Sequence, residues 1–442
     1  MAIEANSNDD SARLGRGDVY TDLKQYDKAI QDYSQVIELN QSLNLYKVDA
    51  CMKLAWVYLC LDQYDKAFQA YTKAKELDPK PANYEHRVDY ASLKKYEQEI
   101  QKYSRAVKLN PDDAEAYKER GKIYYDGLKQ SDKAVADYTK AIELKPDGEK
   151  YHLRAHIYYE LKQYDKAMTD YNKAIELNPD GKKYLDRAHI YARQRQYDKA
   201  IADFTKAVEF LHDKTDSPNR TKDWLHALSC RGNAYRNTKQ YGKAIQDYTR
   251  AIQLAPENAQ YYISRGKALA ESGQHDKAIP NYSAAIKLNT DKYGLDQYYF
   301  RGNAYFALKQ YDKAIQDYTR AIEQYSAADK YCARGNAYFA LKQYDKAIAD
   351  FSRAIGQNPV QPWPYYCRAF AYMSIAQYDK ALQDYTSAVE FSKNDLAGYG
   401  MRGILYLQTT PFDKAILKQL QELNEMPHSA GRKNCNEKGV SK

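Results

Sequence analysis

Apolar residues along this chain fall three and four positions apart, and the same arrangement returns about every 34 residues from one end to the other. One stretch shows the form. Arg301 to Lys309 carries Tyr305 and Leu308, Gln310-Tyr311 intervenes, and Ala314, Ile315, Tyr318, Ala321 and Ile322 follow. Such spacings mark one face of a helix, so each period predicts two helices joined by a short turn. The joint carries the phrase Gln-Tyr-Asp-Lys-Ala, intact or altered, with its aromatic position at Tyr26, Tyr64, Tyr96, Ser131, Tyr164, Tyr197, Tyr241, His275, Tyr311, Tyr344, Tyr378 and Phe412. That makes twelve units, numbered here in chain order. Small residues recur in register at the positions of Gly302 and Ala314, where two helix axes can approach closely. Prolines in Asp78-Pro79, Asn110-Pro111, Lys145-Pro146, Asn178-Pro179, Ala255-Pro256 and Asn358-Pro359 close second helices.

Repetition changes what 442 residues mean, because stacked helix pairs bury one continuous seam and need not divide into globular domains. No run approaches the roughly 18 apolar residues of a membrane span, and Met1 to Arg16 is polar, so the expectation is a cytoplasmic protein without signal peptide or membrane contact. The six cysteines form no C-x-x-C pair or metal-finger spacing. A net charge of +8, spread over 29% charged residues, is too thin to argue for nucleic acid. No phosphate-binding loop, zinc-protease or nucleophile-elbow motif is present, so no catalytic residue, cofactor or metal is expected.

Two rows carry polar chemistry. Tyrosine, 46 residues in all, reads either as a stacking surface or as packing; its positions in register favour packing. Arginine recurs at Arg16, Arg87, Arg120, Arg154, Arg187, Arg231, Arg265, Arg301, Arg334, Arg368 and Arg402. As a ladder it suits phosphate; paired with an aspartate sixteen or seventeen residues later it suits an internal bridge. Unit two loses both members together, with Leu54 and Ala70, which favours the bridge; unit eight has Asn281 and unit three Lys102 in place of the acid.

In these small, aromatic, alanine and proline positions the chain resembles the tetratricopeptide repeat family. The resemblance implies an all-α fold of tandem helix-turn-helix repeats wound into a right-handed superhelical α-solenoid, with first helices lining a concave groove. It divides the chain into a polar tail at 1–10, units one to six at 11–208, an insertion at 209–224, units seven to twelve at 225–426, and a basic tail at 427–442. Gly127 adds one residue to unit four, and Pro280 predicts a local kink in unit eight. Inward positions inferred from the family give two contrasting stretches. Lys118, Lys122, His152, His156, His189 and Arg193 form a basic one suited to an acidic peptide. Tyr299, Asn303, Phe306, Asn336, Phe339, Tyr366 and Phe370, with Asn233 in unit seven, form an apolar one whose amides can pair with an extended peptide. The family's carboxylate clamp is incomplete, since Ser229, Tyr299 and Cys332 stand where its first lysine would be. The implied function is a non-catalytic scaffold for a peptide or protein partner; the alternative is a structural protein assembling end to end as a homo-oligomer, filament or tube.

Overall fold

The structure, a computed structural model, describes residues 10–39, 43–78, 92–212, 218–288 and 296–392, together with Tyr399, Arg402 and Leu405. Both expected tails beyond these bounds, most of the first helix of unit three with Tyr84 and Arg87, and the final helix with Phe412 lie outside the described residues. Within them the chain is helical, with no strand. It forms two compact units, Met1–Trp224 and Leu225–Lys442.

The first unit holds the pairs Asp10–Asp22 with Tyr26–Glu38 and Asn44–Cys60 with Tyr64–Leu77, then Leu93–Leu109, the second helix of unit three. Ala114–Lys122 with Ser131–Leu144, Gly148–Glu160 with Tyr164–Leu177 and Gly181–Arg193 with Tyr197–His212 complete it. In the second, helix Pro218–Asn237, which belongs to it from Leu225 onward, pairs with Tyr241–Leu254, Ala259–Glu271 with His275–Leu288, and Gln297–Ala307 with Tyr311–Gln324. Ala328–Ala340 with Tyr344–Gln357 and Pro362–Ser374 with Tyr378–Phe391 follow. The fold is all-α, a solenoid of tandem helical hairpins in each unit, as the periodicity predicts.

The recurring phrase is the hairpin joint. In unit nine Lys309 takes a left-handed φ of 58°. Its N–H then reaches the Phe306 carbonyl at 2.9 Å, while the Gln310 N–H reaches that of Tyr305 at 2.9 Å, a paired C-terminal cap. The Gln310 carbonyl next accepts from Ala314 N–H at 3.1 Å and starts the second helix. The aspartate falls in that helix's first turn, where its charge opposes the helix dipole. Ala314 is fully buried against the first helix, and the same holds at Ala29, Ala67, Ala134, Ala167, Ala200, Ala244, Ala278, Ala347 and Ala381.

Tyrosine serves packing. The largest fully buried side chains are second-helix rings, among them Tyr33, Tyr138, Tyr171, Tyr248, Tyr318, Phe351 and Tyr385. A Cβ added at Gly302 would meet the Tyr318 ring at 2.7 Å, so the glycine sets how near that ring can come. First-helix tyrosines lie under the arginine row instead: the Arg301 guanidinium stands 5.6 Å from the Tyr298 ring centre and 6.0 Å from that of Tyr305.

The arginine row is a bridge and not a ladder. Arg334 donates Nε–H to Asp350 Oδ2 at 2.7 Å and Nη2–H to Asp350 Oδ1 at 2.8 Å. The two-pronged pairing repeats at Arg16–Asp32, Arg120–Asp137, Arg154–Asp170, Arg187–Asp203, Arg231–Asp247, Arg301–Asp317 and Arg368–Asp384. In unit two Leu54 and Ala70 are both buried. Unit eight keeps one prong, Arg265 Nε–H to Asn281 Oδ1 at 2.7 Å, and there burial lowers the arginine pKa with no carboxylate to oppose it. Seven of these arginines also have a job that sequence spacing does not reveal. Arg334 Nη1–H reaches Thr319 Oγ1 at 3.0 Å, in the preceding unit, as Arg154 reaches Thr139 and Arg368 reaches Ser352. Within each compact unit the row therefore ties the two helices of a repeat together and several repeats to the one before.

Two irregularities follow from single residues. The extra residue at Gly127 is absorbed by a π-helical turn, Ile123–Gly127, where an added Cβ would stand 3.1 Å from the Tyr96 ring. Pro280 lies inside helix His275–Leu288, which continues through it. Unit two departs in charge: Asp62 holds the left-handed position that is lysine or arginine in most other units. That reversal is met across the array, for Lys133 Nζ of unit four reaches both Asp62 oxygens at 2.6 Å. Lys24 pairs with Asp132 at 2.6 Å, and the buried Gln130 amide donates to the Leu59 carbonyl. Leu128 joins the core of units one and two, so unit four docks onto them directly.

Candidate functional site: a cavity on the first helices of units nine to eleven

Four of the residues expected in the apolar groove meet in one cavity of about 330 Å³ in the second compact unit: Tyr299, Asn303 and Phe306 from helix Gln297–Ala307, and Asn336 from helix Ala328–Ala340. Tyr318 closes the floor, and Asp329, Cys332 and Ala333 complete the unit-ten wall. Gln361 and Trp363, from the start of unit eleven, form the remaining side. Trp363 is 58% exposed, a large ring left open to solvent. Its position arises from the extra residues between Asn358 and Pro364. Pro362 begins helix Pro362–Ser374, and the indole is carried at that helix's mouth.

The two asparagines are not equivalent. Asn303 Oδ1 accepts the Tyr318 hydroxyl at 2.8 Å, and Asn233 Oδ1 accepts that of Tyr248 at 2.8 Å. Unit ten has Phe351 at this place in its second helix, so the ring that packs against Gly335 offers no hydroxyl to Asn336. Asn336 thus faces the cavity with both its carbonyl and its amino group uncommitted, while Asn303 is engaged on both sides, its oxygen by Tyr318 and its amide by the Tyr299 hydroxyl. Burial pushes the Cys332 thiol up to about 12 and raises Tyr299, so both line the wall as neutral groups at ordinary pH.

The other expected groove residues stand apart from the cavity. Phe339 packs edge-on against Tyr344 at 5.3 Å; Tyr366 and Phe370 both face Tyr385, at 6.1 and 6.0 Å. Asn233 belongs to unit seven, with Tyr248. Sequence reasoning did not select Trp363, Gln361 or Asp329. An exposed tryptophan placed by an interruption of the repeat was the available signal.

The basic stretch lies in the first compact unit, and much of its charge is met internally. Lys118 Nζ stands 2.5 Å from Glu115, 3.3 Å from Glu119 and 3.8 Å from Glu149. His152 Nε2 is 2.7 Å from Asp186 Oδ2, and His156 Nδ1 is 2.9 Å from the Tyr125 hydroxyl. His189 packs edge-on against Phe204 at 5.5 Å, and Arg193 lies over the Tyr164 ring at 5.3 Å. Lys122 is exposed. The acids that sit between these bases leave a surface of mixed sign.

No helix among the described residues is long and apolar enough to cross a membrane. Family models agree with the repeat register. Those described as tetratricopeptide repeat match residues 10–80, 114–147, 149–180, 184–210, 226–258, 259–292 and 296–326, and one described as TPR repeat matches 89–127 and 335–375. No curated protein matches the chain. Among solved structures it is similar to the MamA protein, at 24% identity over 38% of this chain and 92% of that one, with a TM-score of 0.36. It is also similar to YrrB, described as a TPR protein with an unusual peptide-binding site, at 18% identity over 45% and 97% with a TM-score of 0.37. Yeast Tom70 matches at 17% identity over 93% and 99% with a TM-score of 0.40. Superpositions this loose add nothing to the assignment, which rests on the matched repeats and the helical pairs. The chain belongs to the tetratricopeptide repeat family.

Proposed function

We propose that this protein is a non-catalytic interaction scaffold that captures an extended peptide segment of a partner protein on the first helices of units nine to eleven. Stacked helical repeats present extended concave binding surfaces. One observation carries the location: the uncommitted Asn336 amide opens into a cavity walled by Tyr299, Phe306 and the exposed Trp363. A side-chain amide can receive a backbone N–H and give to a backbone C=O, which fixes an extended chain in register without reading its sequence. Aromatic walls then supply the larger part of the energy, as buried rings do at the centres of protein interfaces. The basic residues Lys118, Lys122, His152, His156, His189 and Arg193 are the weaker candidate for such a site, because Glu115, Glu119, Glu149 and Asp186 already answer Lys118 and His152.

Panning the full chain against a library of random nonapeptides tests this reading. Enriched peptides should lose about tenfold in affinity, roughly 1.4 kcal/mol, with Asn336→Ala or Trp363→Ala. Failure to enrich any peptide, or enriched peptides indifferent to both changes, would contradict it.

A further inference from the structure

We infer that the cavity selects a cationic side chain, arginine or lysine, at the peptide position it receives; this rests on the peptide reading above. Among the described residues that line the cavity, Asp329 is the one that carries a charge. Its Oδ1 accepts the Lys330 backbone N–H at 3.0 Å, within the first turn of helix Ala328–Ala340, and the other oxygen is left for a ligand. Cations of the chain nearby are committed elsewhere. The Lys330 side chain is buried and turned back, with Nζ 2.6 Å from Asp296 and 3.0 Å from the Tyr325 carbonyl. Arg334 is held by Asp350 and Thr319. The carboxylate at the mouth therefore has no ion-pair partner among the described residues.

An exposed carboxylate alone is a weak attraction. Here it stands beside the rings of Tyr299, Phe306 and Trp363, whose faces favour a cation, and a guanidinium can stack on one ring while donating to the acid. The volume of about 330 Å³ lies at the small end of the range for ligand pockets, sized for one side chain and its adjoining backbone. The competing occupants fit less well. An acidic side chain would be repelled by Asp329, and an apolar one would cover Asn336, Gln361 and Asp329 without replacing the water they bind.

Three nonapeptide pools, with flanking positions randomised among uncharged residues and the centre fixed as arginine, citrulline or glutamate, separate this inference from the reading beneath it. Citrulline keeps the shape of arginine and removes the charge. Fluorescence anisotropy with the full chain should give about tenfold tighter binding of the arginine pool than of the citrulline pool. Asp329→Asn should reduce that ratio to about twofold or less, and Asp329→Lys should transfer the preference to the glutamate pool, a gain that misfolding cannot imitate. Equal binding of the arginine and citrulline pools, with both weakened by Asn336→Ala, would overturn the cation inference and leave the peptide site standing. Binding of all three pools indifferent to Asn336→Ala and Trp363→Ala would overturn both.

Discussion

Units nine and ten are almost the same sequence and do different work. Arg301 to Ile322 and Arg334 to Ile355 differ at three places: Gln316 against Ala349, Tyr318 against Phe351, and Thr319 against Ser352. Both units build the same hairpin, the same left-handed lysine and the same two-pronged arginine bridge. Two hydroxyls separate them at the cavity, those of Tyr299 and Tyr318, where unit ten has Cys332 and Phe351. Tyr318 hydrogen-bonds to Asn303, whereas Phe351 leaves Asn336 unanswered. Repetition thus fixes the frame, and the hydroxyls of two neighbouring rings distinguish the asparagine that is engaged from the one left open to a ligand.

That comparison can be strained in three ways, in descending order of effect. The bridges should be interchangeable between the two units. With the Arg334 and Asp350 side chains only 12% and 2% exposed, Asp350→Ala strands a mostly buried guanidinium. Its cost should be about 3 to 5 kcal/mol, and Asp317→Ala should cost the same within error. The pair Arg334→Leu with Asp350→Ala, copied from Leu54 and Ala70 of unit two, should recover most of the loss. Because repeat arrays unfold locally, the readout is amide hydrogen exchange in the affected helices. A cost confined to one unit would show that the two frames are not equal.

Exchanging the hydroxyls comes next. Phe351→Tyr should tie Asn336 as Asn303 is tied, adding about 1 kcal/mol of local stability while weakening peptide binding several-fold. Tyr318→Phe should do the reverse at unit nine, lowering local stability by a similar amount. Isothermal titration with an enriched peptide, set beside hydrogen exchange, reads both effects. Smallest is the shared turn. Lys309 and Lys342 hold φ of 58° and 60°, a region where a side chain is strained, so Lys309→Gly and Lys342→Gly should each stabilise the chain by up to about 1 kcal/mol. Thermal unfolding of the two single variants should show equal shifts and no change in peptide affinity.

Periodicity made the frame legible. Apolar spacing marks the hairpins, and the joint loss of Arg and Asp in unit two marks the bridge, because a pair that vanishes together points to a contact. What periodicity hid were contacts that are not periodic. The Tyr318 to Asn303 bond spans 15 residues and disappears with one ring substitution, so it reads as conservative change in the sequence. Trp363 comes from an interruption, where the register that made other positions readable is lost. For Lys118 the sequence does offer Glu115 and Glu119 in its own helix, but the third acid, Glu149, comes from the next unit. Asp62 was the opposite case: a charge reversal at a lysine position, visible in the sequence, whose partner Lys133 lies 71 residues on and only the fold brings near.

The account turns on the difference between the two asparagines, and a comparison of Asn303→Ala with Asn336→Ala, each titrated with the same arginine-centred peptide pool, tests it most directly. Asn336→Ala should weaken binding about tenfold and leave local stability nearly unchanged, whereas Asn303→Ala should cost unit nine about 1 kcal/mol and alter binding by less than about threefold. Equal losses of affinity in the two variants, or none in Asn336→Ala, would contradict it.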